Sequence, residues 1–209
     1  MRSKVLVFAN QKGGVGKTTT AANLGAYMAK NGRRILLIDF DPQGNLSSSV
    51  GADNTGKSVY EVISGSCTLS DAVKPTAVDN MYVVPSNINL TGANVELIDQ
   101  EDREYYLKRA IDIDRENWDY ILIDCPPSLG ILTLNGFTAA DYVLVPLQCE
   151  YFAMEGLRLL IQTVRRVQQN LNRSLKIGGI IFTMYDARTN LANEVVQDVT
   201  AYFKDKVFK

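Results

Sequence analysis

The fold of this chain is decided by the stretch Lys12-Gly13-Gly14-Val15-Gly16-Lys17-Thr18-Thr19. It follows an apolar run at residues 5–9 and precedes a segment of helical character at residues 21–28. A strand, a glycine-rich turn and a helix, in this order, form the context that a phosphate-binding loop requires. The sequence therefore predicts that this loop binds the phosphate groups of a ligand.

The residue types in the loop suit phosphate chemistry. Its glycines allow the backbone to curl until several N–H groups point at one anion, and the following helix N-terminus adds a partial positive charge. Lys17 is predicted to reach the β- and γ-phosphates, and the hydroxyl of Thr18 to ligate Mg²⁺. The alternative is an ordinary glycine-rich turn between a strand and a helix, which the Gly-Lys-Thr run in this context disfavours.

Composition excludes several classes of protein. The 209 residues, 46% apolar and 22% charged, predict one globular domain over residues 1–209. The absence of histidine excludes Ser-His-Asp catalysis and most catalytic zinc sites. The three cysteines lack C-x-x-C spacing and are typical of reduced thiols in the cytoplasm. No apolar run approaches the ~20 residues of a membrane span, and the net charge of −1 gives no global case for nucleic-acid binding.

Apolar runs alternate with helical segments along the rest of the chain. Strands are predicted near 33–41, 81–85, 120–124, 142–146 and 177–183, and helices near 101–116, 130–138, 153–172 and 190–203. This alternation predicts an α/β fold with a mainly parallel sheet and helices on both faces. We expect residues 51–80 to be short helices that elaborate the surface, and residues 205–209 to open a further strand.

Acidic residues follow two of the predicted strands at their carboxyl ends, where open parallel sheets bind ligands. Asp124 ends the apolar run at residues 121–123 in a Walker B pattern, and such an acid can hold the Mg²⁺ shell through water. Asp39 and Asp41 alternate across a strand end, so we do not expect them to have the same role in the site. One can bond structural or metal-bound groups while the other faces the γ-phosphate. For either acid, the alternative is turn chemistry before residues 42–44.

The loop departs from the standard G-x-x-x-x-G-K-[ST] pattern, since Gln11 replaces the first glycine and Lys12 adds a second cation. In this it resembles the deviant Walker A loop of the ParA/MinD ATPases, which have a P-loop NTPase fold. In that family the first lysine crosses a dimer interface and contacts the nucleotide of the partner subunit. The run Asp-Phe-Asp-Pro-Gln-Gly-Asn at 39–45 resembles the first switch of the family, which implies that Asp41 orients the attacking water and that Asp39 lies nearer the metal shell. Residues 126–130 are similar to the second switch.

The resemblance implies further site residues. Glu150 matches an acid at the dimer contact around the partner's ribose, and Met184 ends the strand that contributes to adenine recognition. Arg188, in the run Asp-Ala-Arg at 186–188, matches an arginine that contributes to nonspecific DNA binding in Soj-like ATPases, although it could instead cap a loop. The helix near 153–172 also carries a basic stripe, which is either a solvated face or a phosphate contact: Arg158, Arg165, Arg166 and Arg173.

The resemblance as a whole implies a ParA/Soj-type ATPase that segregates chromosomes or plasmids, with ATP/ADP and Mg²⁺ as cofactors and slow intrinsic turnover. Implied catalytic residues are Lys12, Lys17 and Asp41; the metal would be served by Thr18 and by Asp39 or Asp124. The implied nucleotide-binding residues are Lys12, Gly13, Gly14, Val15, Gly16, Lys17, Thr18, Thr19, Glu150 and Met184.

The implied partners are a second copy of the chain on ATP binding, nonspecific double-stranded DNA, and a ParB-like centromere-binding protein that stimulates hydrolysis. The expected location is the cytoplasm, associated with the nucleoid and not with a membrane. A MinD-like positioning ATPase on a membrane is the main alternative. An iron–sulfur protein of the same fold, or a small-molecule synthetase or kinase, is less favoured. Relatives of this type continue with a further strand and helices, so we expect the chain to be truncated at its C-terminal end.

Overall fold

The structure is a computed structural model that describes residues 3–53 and 55–208. Its seven strands form one sheet in the order β3-β4-β2-β5-β1-β6-β7. All neighbouring strands are parallel except β3, which is antiparallel to β4. The expected mainly parallel sheet is therefore confirmed. The strands are β1 (Lys4–Phe8), β2 (Ile35–Asp39), β3 (Lys74–Pro75), β4 (Met81–Val84), β5 (Tyr120–Asp124), β6 (Tyr142–Gln148) and β7 (Lys176–Thr183).

Helices cover both faces of the sheet, as the alternating pattern predicts. Within the described residues, no helix is long and apolar enough to cross a membrane. The helices are α1 (Lys17–Lys30), α2 (Asn45–Ser49), α3 (Val59–Ile63), α4 (Leu69–Ala72), α5 (Leu90–Glu96), α6 (Tyr106–Asp114), α7 (Ile131–Ala139), α8 (Ala153–Asn170) and α9 (Asn190–Phe203).

The central strands divide their side chains between two cores. In β2, Leu36 and Ile38 pack into the larger core, to which α3 to α9 contribute, while Ile35 and Leu37 pack into the smaller core with α1 and α2. Successive residues of a strand point to opposite faces. Because both faces are covered, the strands are continuously apolar in sequence and not alternating.

Helix α1 lies unusually close to the sheet at Gly25. A Cβ atom at this position would stand 2.9 Å from the Cδ2 atom of Leu37 and 3.3 Å from the Cδ1 atom of Leu122. Only glycine allows this approach without displacing the neighbouring side chains. The contact anchors α1 on β2 and β5, and so places the loop that precedes α1 at the carboxyl edge of these strands.

The region at 51–80 differs from its expected role. Val59, Ile63 and Leu69 are buried in the larger core, so the expectation of a surface elaboration is wrong. Ser58 and Thr68 begin α3 and α4 as capping boxes, each pairing with the acid three residues later. These boxes are readable in sequence and explain why such short helices form here.

Two predicted boundaries also differ. The helix expected from residue 101 begins at Tyr106, and residues 115–117 continue it as a 3-10 turn. In the expected C-terminal strand, residues 204–206 form a second 3-10 turn. Val207 then makes a single parallel bridge with Ile180, and Lys209 lies outside the described residues.

The N-terminal edge of the sheet is held by the buried side chain of Arg115. Its Nη2 atom donates to the carbonyl oxygen of Ser3 at 2.9 Å and forms an ion pair with Asp141, whose Oδ2 atom also accepts from the N–H of Val5 at 2.8 Å. The Arg115 side chain is 8% exposed. The ion pair therefore ties the end of α6 to β1 and to the start of β6.

Arg115→Ala is expected to lower the free energy of unfolding by about 2 to 3 kcal/mol, because it leaves a carbonyl and a carboxylate without their partner. Urea unfolding followed by circular dichroism measures this. Arg109→Ala is the matched control, since Arg109 forms an exposed ion pair with Asp102, and should cost less than about 0.5 kcal/mol. Equal losses in the two variants would contradict the assignment.

Candidate functional site

A cleft of about 790 Å³ opens at the carboxyl edge of the sheet, where the chain leaves β1, β2, β5 and β7. This volume is in the usual range for a small-molecule site. The cleft is lined by Gly13, Gly14, Gly16, Lys17, Thr18, Thr19, Thr20, Asp41, Gln43, Asn45, Ser49, Pro127, Thr183 and Met184. The structure thus brings together the glycine-rich loop, one acid that follows β2, Pro127 after β5 and the end of β7.

The glycine-rich loop curls around the start of α1. Gly14 and Gly16 have φ values of +74° and +82°, which residues with side chains rarely adopt. Helix α1 begins at Lys17 without a side-chain cap from the described residues and without an acid in its first turn. The first N–H groups of this helix, together with its dipole, are therefore suited to an anion.

The side chain of Lys17 lies inside this loop. Lys17 is only 6% exposed, and its Nζ atom donates to the carbonyl oxygen of Lys12 at 3.2 Å. Burial lowers the pKa of the Lys17 ammonium, and the charges of Asp124 and Asp41 oppose this effect. A cation withdrawn from water beside N–H donors is the arrangement that a polyphosphate neutralises.

Thr18 and Asp124 meet at the floor of the cleft. The Thr18 hydroxyl donates to the Oδ2 atom of Asp124 at 2.6 Å. The Oδ1 atom of Asp124 is buried, and no donor among the described residues reaches it. Burial raises the pKa of Asp124 to about 7, although the hydrogen bond from Thr18 acts to lower it.

This hydroxyl and carboxylate fit a magnesium ion, which prefers hard oxygen ligands and usually keeps waters and substrate phosphates in its shell. Within the described residues, no cluster of three or more acidic or cysteine side chains could hold a metal alone. Phosphate oxygens and water would therefore complete the coordination.

Asp39 is held by hydrogen bonds from the segment that follows β2. Its Oδ2 atom accepts from the N–H and the hydroxyl of Ser47, at 2.7 and 2.6 Å, and its Oδ1 atom accepts from the N–H of Asp41 at 3.3 Å. Burial raises the pKa of Asp39 to about 6. The carboxylate is thus bound to α2, and Asp39 also pairs with Asp124 in the register of β2 and β5. A place for Asp39 near the metal shell therefore stays a prediction.

Asp41 borders the cleft together with Lys17. It is 8% exposed, and its Oδ1 atom accepts from the N–H of Gln43 at 3.0 Å. The bond to Gln43 is an Asx turn. The turn chemistry is therefore observed at Asp41, while a role of Asp41 toward the γ-phosphate stays a prediction.

Lys12 directly precedes Gly13, which lines the cleft, but is not itself among the lining residues. Its ammonium forms an ion pair with Glu150 of the same chain, and the two side chains are 46% and 44% exposed. The N–H of Lys12 donates to Asn10 Oδ1 at 3.0 Å, and Asn10 Nδ2 donates to the carbonyl oxygen of Pro146 at 2.8 Å. The loop backbone is therefore tied to the end of β6, while the Lys12 side chain faces solvent.

Three residues that organise the site were missed from the sequence. Asn10 links the loop to β6, Ser47 holds Asp39, and the Thr183 hydroxyl donates to the carbonyl oxygen of Val15 at 2.9 Å. Only Asn10 carries a local signal, because it is a polar residue directly after a buried strand. The other two depend on contacts between distant segments.

The remaining predicted residues lie in two places. Met184 lines the cleft with a φ of +49° and is 60% exposed. Arg188 is not among the residues that line the cleft. Its guanidinium pairs with Asp186 through bonds of 2.8 and 2.7 Å, and its side chain is 89% exposed.

A phosphate loop that opens a helix, with a buried acid bonded to its threonine and a second acid at the cleft, defines a P-loop nucleotide hydrolase. Residues 3–177 match a family model described as an AAA domain. The chromosome-partitioning ATPase Soj of Treponema pallidum is 60% identical over 205 residues, which are 98% of this chain and 81% of the relative. The sporulation initiation inhibitor protein Soj of Bacillus subtilis is 50% identical over 208 residues, 99% of this chain and 82% of the relative. The chain belongs to the ParA/MinD family of ATPases.

Solved structures of similar sequence share the fold of this chain. Cobyrinic acid a,c-diamide synthase from Mycobacterium smegmatis, with a bound ATP analogue and magnesium, superposes with a TM-score of 0.91 and 46% identity over 97% of this chain and 83% of that one. A plasmid partition protein from Borrelia burgdorferi superposes with a TM-score of 0.86 and 27% identity over 99% of this chain and 88% of that one. Both likenesses confirm the P-loop fold.

Without nucleotide and magnesium, Asp124 is expected to make the stability of the fold decrease as pH rises. Its folded pKa of about 7 lies above the ordinary value of 3.8. The neutral carboxyl therefore contributes stability below about pH 4 that is lost as pH rises through about 7. Asp124→Asn should raise the free energy of unfolding at about pH 8 by on the order of 1 to 3 kcal/mol and change it little at about pH 4.

Urea unfolding at the two pH values measures this effect, with the exposed Asp79→Asn as the control variant. A gain of equal size at both pH values would contradict the titration of Asp124. So would a loss of stability at the higher pH.

Proposed function

We propose that this chain is a DNA-partitioning ATPase that dimerises on binding ATP, binds DNA nonspecifically as a dimer, and is released when a ParB-like protein stimulates hydrolysis. The observation that carries the proposal is a second loop lysine, Lys12, whose side chain is 46% exposed and which directly precedes Gly13 of the cleft. The Soj relatives support a role in chromosome partition over a MinD-like role.

The site residues take distinct roles in this proposal. The loop N–H groups and Lys17 bind the phosphates. Thr18 would ligate a magnesium ion, which would neutralise phosphate charge. Asp124 accepts a hydrogen bond from the Thr18 hydroxyl and would serve the metal shell through water. Asp41 orients the attacking water. Asp39 positions the first switch through Ser47.

The proposed dimerisation is supported by the exposure of Lys12 and of two nearby aromatic side chains. The Lys17 side chain is buried within its own loop, whereas Lys12 can extend toward the triphosphate of a second subunit, much as an arginine finger does. Beside Glu150, Tyr151 and Phe152 form an edge-to-face pair and are 78% and 67% exposed. Aromatic side chains of this kind are enriched at protein interfaces.

DNA binding is proposed to require the dimer. The net charge of −1 gives a single subunit little attraction for phosphate, and two copies of a basic surface raise affinity steeply because phosphate contacts act together. Arg188 is the proposed contact. Its ion pair with Asp186 is exposed and can be shared with a phosphate at small cost. The ATP state would thus be associated with the nucleoid in the cytoplasm.

Arg188→Ala is expected to weaken the binding of the ATP state to random-sequence duplex DNA. The plot of log affinity against log salt concentration has a negative slope, and each lost phosphate contact makes it shallower by about 0.9. A dimer that loses two contacts should therefore have a slope shallower by about two. Asp186→Asn should strengthen binding, because it frees the guanidinium. Fluorescence anisotropy across a salt series, with ATP and with ADP, measures both effects.

Arg109→Ala is the matched control, since Arg109 is likewise exposed and paired with an aspartate. The DNA assignment to Arg188 fails if both arginine variants bind equally well. The partition function itself fails if the parent chain binds ATP and self-associates but shows no ATP-dependent affinity for DNA at low salt.

A further inference from the structure

Lys12, the residue on which the proposed dimer depends, is already engaged within its own subunit. The turn between β6 and α8 carries Glu150, and this turn is held by hydrogen bonds from the N–H of Glu150 to Gln148 and from the N–H of Ala153 to Glu150. The Glu150 carboxylate reaches the Lys12 ammonium across a gap of 138 residues in sequence. A single subunit therefore satisfies Lys12 before a partner arrives.

We propose that Glu150 holds Lys12 within its own subunit until two ATP-bound subunits meet, and that dimerisation exchanges this carboxylate for the partner's phosphates. The inference rests on the proposed function, because it concerns the same lysine. The Lys12 backbone is tied through Asn10 to Pro146 in β6. The exchange thus requires only a change of side-chain rotamers, while the loop that holds the subunit's own nucleotide stays in place.

The ion pair between Lys12 and Glu150 is strong enough to oppose dimerisation without preventing it. Half-exposed ion pairs contribute enough to shift an equilibrium by about two- to fivefold. A symmetric dimer breaks two of them, so together they would weaken dimerisation by about four- to 25-fold. The γ-phosphate adds negative charge that ADP lacks, and so the exchange favours ATP over ADP.

The resemblance to the family implies a different role for Glu150, a contact at the partner's ribose. The two roles predict opposite results when the charge is removed. If Glu150 contributes to the partner's site, its loss weakens the dimer. If Glu150 competes for Lys12, its loss strengthens the dimer.

Sedimentation of Glu150→Gln with a slowly hydrolysed ATP analogue and Mg²⁺ separates these roles. We expect the variant to self-associate about four- to 25-fold more tightly than the parent. Glu155→Gln is the matched control, because Glu155 is an exposed acid in the first turn of α8, and it should behave as the parent. A Glu150→Gln dimer that is equally strong or weaker overturns the inference.

A second measurement tests the ion pair in the nucleotide-free chain. The ion pair occupies the Lys12 side chain and hinders its contact with a reagent, so Glu150→Gln should raise the rate of reductive methylation at Lys12 about two- to fivefold, with Lys30 unchanged. Unchanged reactivity of Lys12 overturns the inference by itself. A parent that binds the ATP analogue but stays monomeric overturns the dimer function instead, so the two failures are distinguishable.

Discussion

Replacing Lys12 with alanine is expected to lower partner-stimulated ATP hydrolysis by about 10³-fold or more, the effect of removing a cation supplied across an interface. ATP binding by the single subunit should change little. The reason is geometric, because Lys17 is buried within the loop of its own subunit, while the Lys12 side chain is 46% exposed. Phosphate release measures hydrolysis, and titration with a fluorescent ATP analogue measures binding.

Two variants make this result specific. Lys17→Ala should lose ATP affinity as well as hydrolysis, since Lys17 lies inside the loop that is proposed to bind the phosphates of its own subunit. Lys30→Ala removes an exposed lysine from the last turn of α1 and should leave both quantities unchanged. If Lys12→Ala loses ATP affinity to the same extent as Lys17→Ala, Lys12 serves its own nucleotide and the role across the interface is wrong.

Asp41→Asn is expected to lower hydrolysis by about 10²- to 10⁴-fold, the usual cost of losing a group that positions or deprotonates the nucleophile. ATP binding should be retained. Asparagine keeps the Oδ1 acceptor for the N–H of Gln43, so the turn should survive while the negative charge at the cleft is lost. Single-turnover hydrolysis, measured alongside ATP affinity and urea unfolding, separates these effects.

Ser47→Ala provides the contrast, because it acts on the other acid of this switch. It removes the hydroxyl that bonds Asp39 and that accepts from the N–H of Ser86. Leaving these buried groups without a partner should cost about 1 to 3 kcal/mol of stability. A fold that is destabilised by Asp41→Asn to the same extent, or an Asp41→Asn enzyme that hydrolyses ATP normally, would contradict the division of roles between the two acids.

The sequence by itself determined the class of the fold and the centre of the site. Continuous apolar strands between helices specify a parallel sheet that is covered on both faces. The phosphate loop is contiguous in the chain, and the left-handed backbone at Gly14 and Gly16 is a local requirement of those residues. Asp124 could also be predicted, because the acid that ends a central strand lies beside the loop that follows its neighbour.

The tertiary structure alone decided which side chain each acid pairs with. The role of Asp39 depends on Ser47 in α2, and the contact between Lys12 and Glu150 depends on β6 lying beside β1. Neither pairing follows from residue type or spacing, because a charged side chain can bind any opposite charge or donor that the fold brings near. Local conformational requirements are encoded in neighbouring residues, whereas the choice of electrostatic partner is made by the packing of distant strands.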